Sequence, residues 1–147
     1  MHRSNRRILI VALKLLGASL LLRLFFPVTS GQAAAQTGYE NQTIMVYMIG
    51  SDLEARSGAA TRDIGEMIKA RATPDKVRVL IMTGGSTTWH SPLIPTDCLS
   101  LFEIKGNQPE KIDQFPLKSM GEKETLTSFL DYTATKYPSD SYGLVLW

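Results

Sequence analysis

The sequence predicts an α/β fold built on a mainly parallel sheet, and two observations carry that prediction. Three short runs rich in apolar and β-branched residues, "TIMVYMIG" at 43–50, "KVRVLIMTGG" at 76–85 and "YGLVLW" at 142–147, read as buried strands. Between them lie stretches whose apolar residues recur every three or four positions, the period of a helix packed on one face.

The first strand ends on Gly50 and is followed by "SDLE". Ser51 or Asp52 is placed to cap a helix, and Glu54 sits favourably in its first turn. Ala60, Ile64, Met67, Ile68 and Arg71 continue that helix to the "ATPD" at 72–75. A strand, a helix and a second strand within about 40 residues form a βαβ unit, which takes a right-handed crossover and parallel strands. "CLSLFEIKGNQPEKIDQFPL", 98–117, alternates apolar and polar residues around Gly-Asn and predicts a small antiparallel hairpin beside the main sheet. Glu122 to Lys136 returns to helical period through Leu126, Phe129, Leu130 and Thr133, and Pro138 stops it. Three core strands, two main helices and one hairpin result.

The first 35 residues differ in character. Arg3, Arg6, Arg7, Lys14 and Arg23 are basic, no acid occurs, Ile8 to Val28 is mostly apolar, and Ala33 to Ala35 offers small residues for cleavage. This is the layout of a signal peptide. The uninterrupted apolar stretch, Leu15 to Leu22, is too short to span a bilayer unless Lys14 and Arg23 snorkel, so export is favoured over the alternative, a retained N-terminal anchor. Residues 36–42 form a polar linker, and the domain proper runs from 43 to 147. The whole chain carries 16 basic and 14 acidic residues; without the five basic residues of the leader the balance is −3, which excludes a nucleic-acid footprint. Any membrane contact therefore belongs to the N-terminal segment. Cys98 is the only cysteine, so no internal disulfide forms.

Sites in an open parallel sheet form at the carboxyl ends of its strands. "GSDLE" and "TGGSTTWH" reach that edge, and nothing follows the third strand. Asp52 is the candidate for facing a cationic ligand there, with helix capping as the alternative role. His90 and Cys98 make a weak thiolate–imidazole candidate, separated by Pro92 and Pro95. Gly84 and Gly85 lack the lysine of a phosphate loop and serve turn chemistry instead. Trp89 reads as a cover over the sheet edge. No cluster has transition-metal ligand spacing.

"TIMVYMIGSDLE", "ATRDIGEMI", "VRVLIMTGGSTTW", "MGEKETLTSFLDY" and "YPSDSYGLVLW" together resemble, in order and spacing, the N-terminal half of the clostripain family of cysteine peptidases. The resemblance covers 43–147. It implies a partial caspase-like, gingipain-like α/β/α domain that cleaves peptide and protein substrates after Arg or Lys. It also implies a histidine–cysteine pair, with the histidine in a His-Gly motif directly beyond the tryptophan that matches Trp147 and the cysteine after the next core strand. His90 and Cys98 match neither position. The expectation is a truncated N-terminal portion without catalytic residues, inactive alone, whose partner is the missing C-terminal half or heavy chain. Calcium enters as a family feature, without an identified ligand set. The rival expectation is a complete small α/β protein that binds a ligand at the "GSDLE" edge and catalyses nothing. Under either reading Asp52 is the binding candidate.

Overall fold

A computed structural model of the chain describes residues 41–70, 76–106 and 108–147. The expected leader (1–35), most of the expected linker (36–42) and the helix end expected at 72–75 lie outside these residues. Strand β1 (Gln42–Ile49) leads into helices α1 (Ser51–Ser57) and α2 (Ala59–Lys69), then β2 (Val77–Gly84). Strands β3 (Cys98–Lys105) and β4 (Gln108–Pro116), helix α3 (Lys123–Lys136) and strand β5 (Ser141–Leu146) complete the order. They form one five-stranded sheet, β4-β3-β2-β1-β5.

The three expected core strands pair in parallel, β1 with β2 and with β5. The hairpin does not stand beside the sheet but extends it, with β3 antiparallel to both β2 and β4, so the sheet is evenly mixed rather than mainly parallel. The physical reason is the connection. Residues 85–97 hold no helix that could carry the chain back across a face, so β3 returns alongside β2 in the opposite direction.

Alternation along the strands sorts side chains into two layers. Met45, Tyr47, Leu80 and Met82 face α3, where Tyr47 stacks on Phe129 with ring centroids 5.8 Å apart. Val46, Met48 and Ile81 face the other way, packing with Ala60 and Ile64 of α2 and with Trp89. Helices on both faces and apolar strands between them give the α/β/α sandwich. Burial raises the Tyr47 phenol above its ordinary pKa, and its hydroxyl donates to the Met120 carbonyl at 3.0 Å. On the outer flank the Tyr132 hydroxyl donates to Asp113, joining α3 to β4; that bond, with burial, pushes the phenol up to about 12.

The single helix expected after β1 is two. Gly58 breaks it at φ 63°, ψ 31°, ending α1 in the left-handed conformation and donating its N–H to the carbonyls of Leu53 and Glu54. The missing side chain matters too, since a Cβ there would lie 2.6 Å from His90 Nδ1. No described helix is long and apolar enough to cross a membrane.

Candidate functional site at the carboxyl edge

Three segments meet where β1, β2 and β5 end. The Gly50 N–H donates to the Gly84 carbonyl at 2.9 Å and the Ser51 N–H to the Gly85 carbonyl at 3.0 Å, so the parallel ladder continues past both strands. Ser51 takes φ 46°, the one described non-glycine residue in the left-handed region, a strain on the order of 1 kcal/mol. The Ser86 hydroxyl lies 3.0 Å from the Ser51 carbonyl and 2.7 Å from that of Thr88. Gly50 makes room for Trp89, whose ring would sit 2.9 Å from a Cβ. Trp89 is buried as the expected cover, and its indole nitrogen has no partner among the described residues. Gly85, at φ 72°, serves the turn expected of it.

The two acids of "SDLE" have opposite fates. Asp52 lies at the carboxyl edge and points outward, 80% exposed, 3.0 Å from Arg56 one turn along α1. It caps nothing: Gly50 precedes α1, and no side chain caps the first turn, which corrects the capping role foreseen for Ser51 or Asp52. Glu54 is fully buried. Its carboxylate accepts from the Thr61 N–H at 2.9 Å, the Thr61 hydroxyl at 2.6 Å and the His90 N–H at 2.8 Å. Burial pushes its pKa up, but those three bonds and the nearby His90 ring pull it net below the ordinary glutamate range. Glu54 thus clasps the segment after β2 to the start of α2. The sequence showed only a first-turn glutamate, because its donors come from 7 and 36 residues away.

His90 and Cys98 remain apart in their contacts. The exposed imidazole lies with Nε2 3.4 Å from the Ala55 carbonyl, and the half-buried thiol sits 3.5 Å from the Ser100 hydroxyl. No hydrogen bond joins them. Among the described residues no three His, Cys, Asp or Glu side chains group to hold a metal.

Trp147 continues the β5 ladder by one residue. Its N–H donates to the Tyr47 carbonyl at 3.0 Å, its carbonyl accepts from Ile49 at 3.2 Å, and its indole N–H donates to Asp63 Oδ2 at 2.7 Å. Ile49, Ser51, Leu53 and Trp147 line a shallow, mostly apolar depression of about 390 Å³.

Comparison with known proteins decides the family: the clostripain family's model matches residues 46–147. The chain belongs to the clostripain family. Among solved structures, a Bacteroides fragilis cysteine protease is 18% identical with a TM-score of 0.53, over 73% of this chain and 86% of that one. A clostripain from Bacteroides thetaiotaomicron, solved with a peptide inhibitor, gives 18% and 0.53 over 73% and 88%. A secreted C11 cysteine protease of the same organism, also inhibitor-bound, gives 19% and 0.56 over 74% of this chain but 29% of that one. At these identities the likeness is one of fold, and it places the clostripain-family sandwich among caspase-like folds. The search of curated proteins returns no match.

Proposed function

We propose that residues 43–147 contribute the N-terminal part of the catalytic domain of an exported clostripain-family cysteine endopeptidase that cleaves after Arg or Lys. The family match over 46–147 is the observation that carries this reading. The secreted relative supports export, and residues 1–35 act as the signal peptide in this proposal. A sulfur nucleophile needs a base within hydrogen-bond reach. Neither His90 nor Cys98 is in that relation, so base and nucleophile come from outside this segment, supplied by the remainder of the domain or a heavy chain.

Asp52 is proposed as a substrate contact. It is an exposed carboxylate at the edge where a cationic side chain would arrive, and its partner Arg56 is equally exposed and displaceable. In a peptidase containing this segment, Asp52→Asn then weakens arginyl-substrate binding while leaving thermal stability nearly unchanged.

The decisive experiment is hydrolysis of arginyl and lysyl peptide substrates by this chain and by its Cys98→Ala variant. No turnover is expected from either. Arg-directed cleavage that disappears in Cys98→Ala would overturn the assignment of the catalytic pair to residues outside the segment.

A further inference from the structure

We propose that Asp63 is a positioning residue: from α2 it grips the indole of Trp147 and fixes the place of Trp147 at the carboxyl edge. The inference rests on the reading of that edge as the peptidase's working edge. It concerns a residue that neither the strand pattern nor the candidate site singled out.

The argument starts from how little else holds this strand end. Among the described residues Val145 and Leu146 are 45% and 66% exposed, so this segment itself gives that stretch little burial. Upstream, Tyr142 is buried and Gly143 packs so closely on Ile44 that a Cβ would lie 3.0 Å from its Cδ1. Tyr142, Gly143 and Leu144 are therefore held by packing, while Val145 and Leu146 rely chiefly on the backbone ladder until Trp147. There the indole N–H meets Asp63 Oδ2 at 2.7 Å, a charge-assisted hydrogen bond across 84 residues of chain.

Asp63 is well placed to hold something still. Its neighbours on α2, Ala60 and Ile64, are buried against the sheet, so the carboxylate projects from a docked helix rather than a loop. Trp147 itself packs against the same apolar layer as Ile64. Its backbone supplies a pair of bonds to β1, to the Tyr47 carbonyl and from the Ile49 N–H. Holding the ring thereby holds this rung of the ladder. Reactive groups carried at strand ends tolerate little displacement, about 10²-fold in rate for 1 Å, which gives a tether at this point its functional value.

The test reads the tether directly in the ¹⁵N-labelled chain, through the Trp147 indole resonance and backbone amide exchange. In Asp63→Ala the Trp147 indole and the amides of Trp147 and Ile49 should exchange at least tenfold faster, while Tyr142 and Gly143 keep their rates and the Trp89 indole does not shift. Asp63→Asn, which retains an acceptor oxygen, should recover most of the protection. Trp147→Phe, which keeps the ring but removes the donor, should loosen the Ile49 amide as Asp63→Ala does. Unchanged exchange at Ile49 and Trp147 in Asp63→Ala would overturn the proposal. So would uniform loosening of all β5 amides, which would mark Asp63 as a general stabiliser of the fold, or a failure of Asp63→Asn to differ from Asp63→Ala. These outcomes are read without peptide hydrolysis, so failure of the tether and failure of the peptidase reading are distinguishable.

Discussion

The two ends of the sheet are held by different means. At the amino end the polar groups form a mesh. Arg78 and Lys105 both reach Glu103 at 3.1 Å, Lys105 also reaches Glu110 at 3.2 Å, and the Arg78 guanidinium lies 5.0 Å over the Tyr137 ring. Nearby, Asp140 accepts from the Asn41 N–H and the hydroxyls of Thr43 and Ser139 lie 2.6 Å apart. At the carboxyl end, beyond the backbone ladder, two carboxylates carry much of the work: Glu54 clasps the segment after β2 to the start of α2, and Asp63 holds the Trp147 indole. The buried Glu103 is reached by two largely solvent-facing cations, so losing one of them leaves it the other and costs little. A buried carboxylate with three donors has no substitute, and its removal strands those donors.

The largest expected effect tests that contrast directly. Glu54→Ala leaves the N–H groups of Thr61 and His90 without their acceptor in a closed site and should cost about 3 kcal/mol in chemical denaturation. Glu54→Gln should cost less, since its amide oxygen still accepts. A loss under about 0.5 kcal/mol for Glu54→Ala would erase the difference between the two ends. The same residue sets a pH dependence. Its folded pKa is depressed, so its contribution is fully present above the ordinary glutamate value and disappears as pH falls through the lower, folded one. The stability gap between wild type and Glu54→Gln should therefore narrow only in acid, which a denaturation series against pH would show.

Next in size is Gly58→Ala, at about 2 kcal/mol. The position has φ 63°, and the new Cβ would meet His90 Nδ1 at 2.6 Å. Since His90 is exposed and can swing away, a measured loss below about 1 kcal/mol would show that only the backbone conformation resists the change.

Arg78→Ala, at the amino end, should cost less than about 1 kcal/mol, and the cost should shrink as salt is added. A loss comparable to that of Glu54→Ala would mean the mesh hinges on one residue after all. Smallest is Asp52→Asn, about 0.3 kcal/mol, the scale of one exposed pair on a helix. A thermal melt that moves substantially would assign Asp52 to stability rather than to substrate.

What the sequence determined by itself is whatever depends on local period. The apolar runs located β1, β2 and β5, but which of their residues face α3 (Met45, Tyr47) and which face α2 (Val46, Met48) came only with the structure. The 3.6-residue rhythm from Glu122, with Pro138 as its stop, located α3 within a residue. These signals survive in one dimension because burial repeats with the geometry of the element. The hairpin's joining of the main sheet was settled by pairing with β2, which no residue in β3 or β4 announces. The break at Gly58 arose from the backbone's left-handed turn and His90 lying over it, although the helical period ran on past it. At the edge, Asp52 and Glu54 stand two residues apart with the same chemistry. Only the tertiary structure decided that one faces solvent and the other is enclosed, because the donors that make enclosure affordable belong to Thr61 and His90. The grip of Asp63 on Trp147 was decided in the same way: a hydrogen bond across 84 residues leaves no local pattern, since nothing near either residue in the chain is constrained by the other until α2 and β5 have docked.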